Sequence, residues 1–162
     1  MANIFLDVDG VFADFQLKCA SLYGAAWRHM SDEELWQNLE KEYHLFATLK
    51  MIPDSTRIVT HLLHPSLGHK VSFLTALPRP TGRLITAEQD KGEWLAKNIS
   101  KRIPVHTVVG GKNKYKFITS PNDVLVDDYR RNIDGWINAG GIGILHTSID
   151  DTLDKLDDMG LL

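Results

Sequence analysis

The stretch NIFLDVD at residues 3–9 is the part of the sequence from which the fold can be deduced. A short apolar run followed by Asp7 and Asp9 is typical of a buried strand that ends in acids. Four later stretches are also short, β-branched or apolar, and bounded by Gly, Pro, Asn or Asp: residues 69–75, 104–109, 123–127 and 141–145. We therefore predict five strands, the first of which carries two carboxylates at its end.

Helical patterns lie between these strands. Apolar residues recur at helical spacing in three segments, at residues 54–63, 83–98 and 130–139. Strands that alternate with helices indicate an α/β fold with a largely parallel sheet. Because the crossovers are right-handed, helices should cover both faces of the sheet. We predict a Rossmann-like three-layer sandwich.

One connection is much longer than the others. About sixty residues separate the first strand from the second, although a single crossover helix needs far fewer. This segment is rich in Trp, Tyr and Phe, and Ser31 with Glu34 has the spacing of a helix capping box. We predict a core domain at residues 1–13 and 66–162, with a small helical cap inserted at residues 14–65.

Composition limits the classes of partner. The chain has 162 residues, 43% of them hydrophobic and 24% charged, which is ordinary for one globular domain. The net charge is −3 and no Lys/Arg run occurs, which argues against a long nucleic acid as partner but leaves a small anion possible. Cys19 is the single cysteine, so no internal disulfide can form. No stretch is typical of a signal peptide or a membrane span, so we expect a cytoplasmic protein with no membrane partner.

Two acidic clusters follow predicted strands. Asp7 and Asp9 end the first strand, and Asp127 and Asp128 end the fourth. Ligands of open parallel sheets bind outside the carboxyl ends of the strands, so these four carboxylates should converge. Two charges 4 Å apart repel by about 4 kcal/mol at an effective dielectric of ~20, so the cluster must hold a cation or protons. Oxygen ligands in a compact site favour Mg²⁺.

Four short motifs occur in chain order: DVDGV at 7–11, FLTA at 73–76, KNKYK at 112–116 and VLVDD at 124–128. Taken together, they resemble the motifs of haloacid-dehalogenase-like (HAD-like) phosphatases. The resemblance implies a Mg²⁺-dependent phosphomonoester hydrolase that works through an aspartyl-phosphate intermediate. DVDGVFADF at 7–15, the Trp-rich insertion and residues 124–146 are most similar to the small 5′-nucleotidase and 5′(3′)-deoxyribonucleotidase branch. That similarity implies a (deoxy)nucleoside monophosphate as substrate.

The resemblance also implies roles for individual residues. Asp7 would be the nucleophile, and Asp9 would act as general acid and then general base. Thr75 would donate its hydroxyl to a phosphoryl oxygen. The metal ion would be held by Asp7, the Asp9 backbone carbonyl and Asp128, with Asp127 bound directly or through water.

The lysine of the third motif has three candidates, Lys112, Lys114 and Lys116. Residues four apart on a helix share a face and residues two apart do not, so Lys112 and Lys116 could act together while Lys114 points elsewhere. Register against Asp127 favours Lys114 as the catalytic lysine. Distance from the preceding strand favours Lys112, which we expect at the substrate.

The remaining candidates concern the substrate. Gly10 would let the chain turn sharply next to the phosphate, and Ala76 follows Thr75. Phe12 and Phe15 are the aromatic residues closest to the catalytic strand and could stack on a base, although they could equally form the core of the insertion.

Two other functions fit parts of the pattern. The substrate could be another small phosphate ester, with the same chemistry. A non-catalytic phospho-receiver domain also gathers acids, Thr and Lys at strand ends. However, receivers carry the acidic pair on the first strand and the phosphorylated Asp on a middle one, which is the reverse of the order here.

Overall fold

The computed structural model describes residues 1–162 and contains five strands and six α-helices. The strands are β1 (Asn3–Leu6), β2 (Lys70–Leu77), β3 (Val105–Val109), β4 (Val124–Asp127) and β5 (Ile142–Leu145). The α-helices are α1 (Phe15–Tyr23), α2 (Asp32–Leu39), α3 (Thr56–Leu62), α4 (Ala87–Asn98), α5 (Arg130–Asn138) and α6 (Ile149–Asp158). Four 3₁₀ segments lie at Gly24–His29, Leu45–Thr48, Gly82–Thr86 and Gly111–Phe117.

All neighbouring strands of the sheet are parallel, in the order β3-β2-β1-β4-β5. The chain builds outward from β1 on one side and then returns to build the other side from β4. The strand order therefore reverses next to β1, and open α/β sheets bind their ligands at such a point, beyond the carboxyl ends of the strands. The predicted α/β class with a parallel sheet is confirmed.

The sheet has a buried core on each face. Successive strand residues point to opposite faces, so Ile4 and Leu6 contribute to one core while Phe5 contributes to the other. The smaller core also contains Ile133 and Trp136 of α5. The sheet is thus covered by helices on both sides, which confirms the predicted three layers.

The long connection between β1 and β2 is mostly helical and contains α1, α2, two 3₁₀ segments and α3. Its buried residues Leu39, Phe46 and Ile58 belong to the same apolar cluster as Ile4 and Leu6 of β1. The insertion therefore shares its core with the sheet.

A side-chain cap fixes where α2 of the insertion begins. The Ser31 hydroxyl accepts a hydrogen bond from the Glu34 N–H at 3.1 Å, so α2 begins where the capping pattern predicts. The last helix, α3, packs against α6. The boundaries of a separate cap at residues 14–65 stay a prediction.

Three local features differ from the sequence-based predictions. Strand β1 ends at Leu6 instead of continuing to residue 9, because the chain then tightens into a loop in which the Val8 carbonyl accepts bonds from Phe12 and Ala13. Helix α6 was not predicted, although Ser148 caps it by accepting from the Asp151 N–H at 3.1 Å. The lysine segment Gly111–Phe117 is a 3₁₀ helix, in which residues three apart are aligned, so spacing rules for α-helices do not apply to it.

No helix of the structure combines the length and the hydrophobicity that crossing a bilayer requires.

Candidate active site

Three carboxylates meet at the reversal point of the sheet. Asp7 follows β1, and its N–H donates to the Val126 carbonyl of β4 at 2.9 Å. Asp127 is the last residue of β4, and Asp128 follows it. One oxygen from each of Asp7, Asp127 and Asp128 lies within 4.8 Å of the others. The pairing of β1 with β4 thus brings together acids from the start of the chain and from its last third.

Lys114 lies between two of these acids. Its Nζ donates to Asp7 Oδ1 at 2.6 Å and to Asp127 Oδ2 at 2.7 Å, and its side chain is only 1% exposed. Burial lowers the pKa of Lys114, but the two carboxylates outweigh burial and the net shift is upward, so the ammonium stays charged. Lys112 and Lys116 are exposed. Of the three candidate lysines, the structure places only Lys114 at the acids.

Asp127 and Asp128 have different surroundings. Asp127 is fully buried and accepts three hydrogen bonds, from Lys114, from Asn132 Nδ2 at 3.0 Å and from the Tyr129 N–H at 2.8 Å. No other residue donates a hydrogen bond to the carboxylate of Asp128, which is only partly buried. Asp128 is therefore the acid of the pair that is free to bind a cation.

The charges of the cluster do not balance. When ionised, three carboxylates and the Lys114 ammonium leave two uncompensated negative charges. Burial and repulsion from Asp7 and Asp127 raise the pKa of Asp128 to about 8. Burial and repulsion from Asp7 also raise the pKa of Asp127 to about 6. A set of oxygen donors with two excess negative charges fits a hard divalent cation such as Mg²⁺.

The side chain of Asp9 lies outside this cluster and pairs with Lys91, so three of the four carboxylates converge and not all four as predicted. Lys91 Nζ donates to Asp9 Oδ2 at 2.7 Å, to Thr75 Oγ1 at 3.0 Å and to the Ala76 carbonyl at 2.6 Å. The other oxygen of Asp9, Oδ1, is shielded from solvent and has no hydrogen-bond partner. Burial outweighs the nearby Lys91 and raises the pKa of Asp9. The side chains of Asp9 and Thr75 are thus joined through a single ammonium.

Sequence reasoning missed Lys91, although a signal for it exists. On α4 it falls between Ala87 and the pair Trp94 and Leu95, at the spacing of the buried face. A lysine on the apolar stripe of an amphipathic helix is rarely buried unless it has charged or polar partners. Its position therefore predicts an acid nearby, but not which one.

Gly10 is fixed by a close contact with Asp128. Its φ angle is +82°, and a Cβ built on it would lie 2.0 Å from Asp128 Oδ2. A side chain at this position would both strain the backbone and displace the carboxylate. The observed neighbour of Gly10 is an acid of the cluster, whereas its place in the sequence predicts a neighbour in the substrate.

The two phenylalanines that follow Gly10 differ in exposure. Phe12 is fully buried and packs edge-on against Phe73, with ring centroids 5.4 Å apart. It has no face to offer a base, which corrects its predicted role in substrate binding. Phe15 is only partly buried and stacks on Trp36 at 5.9 Å and on Phe46 at 6.4 Å.

This aromatic stack lies next to Lys91, the partner of Asp9. The Phe46 ring centroid lies 4.3 Å from Lys91 Nζ, so the insertion covers one side of the ammonium.

Comparisons with known proteins establish the fold. No protein-family model matches the sequence, and no curated protein matches it either. D,D-heptose 1,7-bisphosphate phosphatase from Burkholderia thailandensis has a similar structure, with a TM-score of 0.54 and 14% identity over 96% of this chain and 99% of that one. A hydrolase from Streptococcus pneumoniae also has a TM-score of 0.54 and 14% identity, over 96% of this chain and 97% of that one. This chain shares the fold of these two enzymes. Similarity at this identity concerns the fold alone.

Proposed function

We propose that this chain is a Mg²⁺-dependent phosphomonoester hydrolase of the HAD-like type, with Asp7 as its nucleophile. The observation that carries the proposal is the position of Lys114, whose ammonium is shared by Asp7 after β1 and Asp127 at the end of β4. Asp128 lies beside them, at the point of strand-order reversal where open α/β sheets bind ligands. The fold shared with a phosphatase and a hydrolase supports the same class of reaction.

The surroundings of Asp7 suit an attacking carboxylate. Oδ1 accepts from Lys114, while Oδ2 accepts no hydrogen bond from the protein. One oxygen is thus held and the other is free to attack phosphorus. As the bond from Asp7 to phosphorus forms, the ester P–O bond breaks and Asp9 protonates the leaving oxygen. Asp9 then takes a proton from the water that hydrolyses the aspartyl-phosphate, which releases phosphate and restores Asp7.

The metal site is proposed at Asp7, the backbone carbonyl of Asp9 and Asp128. Asp127 would act through water, because its carboxylate already accepts three hydrogen bonds. When bound, Mg²⁺ offsets negative charge on the phosphoryl oxygens and on the carboxylates. Lys114 contributes a second positive charge at the same place, and the Thr75 hydroxyl would donate to a phosphoryl oxygen.

We further propose a (deoxy)nucleoside monophosphate as the substrate. The support is the aromatic stack of Phe15, Trp36 and Phe46, which lies next to the polar site and leaves Phe15 and Trp36 partly exposed. Stacking of a base on an aromatic side chain contributes roughly 1–3 kcal/mol. Another small phosphate ester is the alternative substrate. A cytoplasmic location stays a prediction.

The order of the sheet argues against a phospho-receiver. Receiver domains have the flavodoxin-like order 2-1-3-4-5, in which β3 is next to β1. Here β3 lies at the edge, and β4 is the neighbour of β1.

An assay of phosphate release, run with Mg²⁺ and with EDTA, tests the proposal. Its substrates are p-nitrophenyl phosphate, nucleoside monophosphates and sugar phosphates. We expect turnover that EDTA abolishes, and a preference for the nucleotides. Asp7→Asn should be inactive, whereas Asp134→Asn, an exposed acid on α5, should keep wild-type turnover. Acid-quenched mass spectrometry should find the phosphoryl group on the peptide that contains Asp7. Near-normal turnover by Asp7→Asn would refute its role as nucleophile.

A further inference from the structure

Asn132 lies in the first turn of α5, next to the acid cluster but not part of it. The helix that carries it is fixed to the sheet, because Ile133 and Trp136 are buried in the smaller core. Its side-chain amide is partly buried and contacts two separate parts of the candidate active site. The proposed reaction gives Asn132 itself no task.

The first contact is a hydrogen bond to Asp127. Asn132 Nδ2 donates at 3.0 Å to Asp127 Oδ2, the oxygen that also accepts from Lys114 Nζ at 2.7 Å. The Tyr129 N–H donates to the other oxygen, Oδ1, at 2.8 Å. A carboxylate with donors on both oxygens cannot rotate without losing hydrogen-bond geometry. The acceptor that Lys114 uses is therefore held in one place.

The second contact is with Gly111, the first residue of the 3₁₀ segment that carries Lys114. A Cβ built on Gly111 would lie 2.7 Å from Asn132 Oδ1 and 2.8 Å from Nδ2. The φ angle of Gly111 is not in the left-handed region, so an alanine could adopt its backbone conformation. The close approach of the Asn132 amide is thus what excludes a side chain at this position.

Both contacts act on the ammonium of Lys114. One fixes the carboxylate that accepts from the ammonium, and the other fixes the backbone segment from which the lysine extends. Lys114 Nζ also donates to Asp7 Oδ1 at 2.6 Å. The place of the ammonium therefore decides which oxygen of Asp7 is held and which is free.

We propose that Asn132 is a positioning residue of the active site, and this inference rests on the proposed phosphatase function. Its amide sets the place of the Lys114 ammonium from two sides, through Asp127 and through Gly111. The ammonium in turn holds Asp7 Oδ1 and leaves Oδ2 free to attack. Asn132 acts through these neighbours and not by contact with the substrate.

Replacing Asn132 with leucine tests the hydrogen bond. Asn132→Leu keeps the branching of the side chain at Cγ but removes the donor. The assay is hydrolysis of p-nitrophenyl phosphate with Mg²⁺, with kcat expressed per folded protein as measured by circular dichroism. We expect kcat to fall about tenfold or more, as for lost outer partners of metal-site residues, while KM changes less than about twofold. Asn138→Leu, at an exposed position of the same helix, is the matched control and should keep both wild-type constants.

Replacing Gly111 with alanine tests the packing contact, because the new Cβ would displace the Asn132 amide. Gly111→Ala should lower kcat about as much as Asn132→Leu does. Asn132→Ala loses the same donor, so it should also lower kcat, and it serves if the leucine variant does not fold. It makes room for the Cβ, however, so adding Gly111→Ala to it should lower kcat by less than about a further twofold. Gly135→Ala, with open space where its Cβ would lie, is the glycine control.

Three results would overturn the role of Asn132 and leave the phosphatase proposal standing. They are a wild-type kcat in the Asn132 variants, a loss that resides in KM alone, and fully additive losses in the double variant. Absence of p-nitrophenyl phosphate turnover by the wild-type protein with Mg²⁺ would instead overturn the phosphatase proposal, and this inference with it.

Discussion

Replacing Asp128 with Asn should make the metal-free protein more stable, although it removes a residue of the proposed active site. Oxygens of the three clustered acids lie up to 4.8 Å apart, and two unit charges at that distance repel by about 3.5 kcal/mol at an effective dielectric of ~20. Asp128 is partly exposed, and Lys114 offsets some of the repulsion. We therefore expect a net gain of about 1–2 kcal/mol at pH ~8, or about 2–8 °C in Tm for a chain of this size.

The effect should depend on pH with a definite sign. The pKa of Asp128 is raised from 3.8 to about 8, so the folded protein keeps a proton that the unfolded chain has lost. Stability of the wild type without metal should therefore fall as the pH rises from about 4 to about 8. The stability of the Asp128→Asn variant should fall less over this range, because its side-chain amide does not titrate. Since a cation displaces the proton, the stabilisation of the wild type by Mg²⁺ should grow over the same range.

Thermal unfolding of both proteins in EDTA and in Mg²⁺, at about pH 5 and about pH 8, measures these differences. Asp134→Asn changes the net charge equally from an exposed position and serves as control. Two results would refute the reasoning: an Asp128→Asn variant that keeps the full stabilisation by Mg²⁺, or a difference in Tm from the wild type that does not change with pH.

Three further changes have defined outcomes. Gly10→Ala should weaken Mg²⁺ binding more than tenfold, because its Cβ would lie 2.0 Å from Asp128 Oδ2. Titration of activity with Mg²⁺ measures the affinity, and a wild-type affinity would contradict the prediction. Lys114→Met should lower the free energy of unfolding by about 3–5 kcal/mol in urea, since it leaves two buried carboxylates unpaired, whereas Lys116→Met at an exposed position should not. Phe15→Ala should raise KM for a nucleoside monophosphate about 5- to 150-fold, which is the equivalent of losing one base stack. Glycerol phosphate has no base, so its KM should stay constant. An equal rise for both esters would exclude a base stack at Phe15.

The sheet was predictable because buried parallel strands are marked locally. Each of the five strands lies on an apolar or β-branched run, and the observed ends differ from the predicted ones by up to three residues. The largest difference is at β1, where hydrogen bonds to the Val8 carbonyl turn the chain before Asp9. That turn depends on the backbone beyond the strand, which the apolar pattern does not describe.

The candidate active site was predictable only in part. The acids could be located from their strand ends, because the carboxyl ends of parallel strands share one edge of the sheet. Register against Asp127 favours Lys114, but only its hydrogen bonds to Asp7 and Asp127 separate it from the exposed Lys112 and Lys116, and those bonds join distant parts of the chain. Lys91 pairs with groups on two other segments, and its pairing with Asp9 spans 82 residues, so no local pattern specifies it. No local pattern predicts the burial of Phe12 either, because it packs against Phe73 of the distant strand β2.

The acid cluster is also a product of long-range chain closure. Lys114 and Asp7 are 107 residues apart in sequence, and Asp127 lies still further along. During synthesis, the first aspartate must therefore leave the ribosome long before its lysine exists, and no cation can find the complete set of ligands in a nascent chain that lacks β4. If Mg²⁺ binds at the proposed site, it should therefore bind the finished fold and not its precursors, and so favour completion of folding without guiding its early steps.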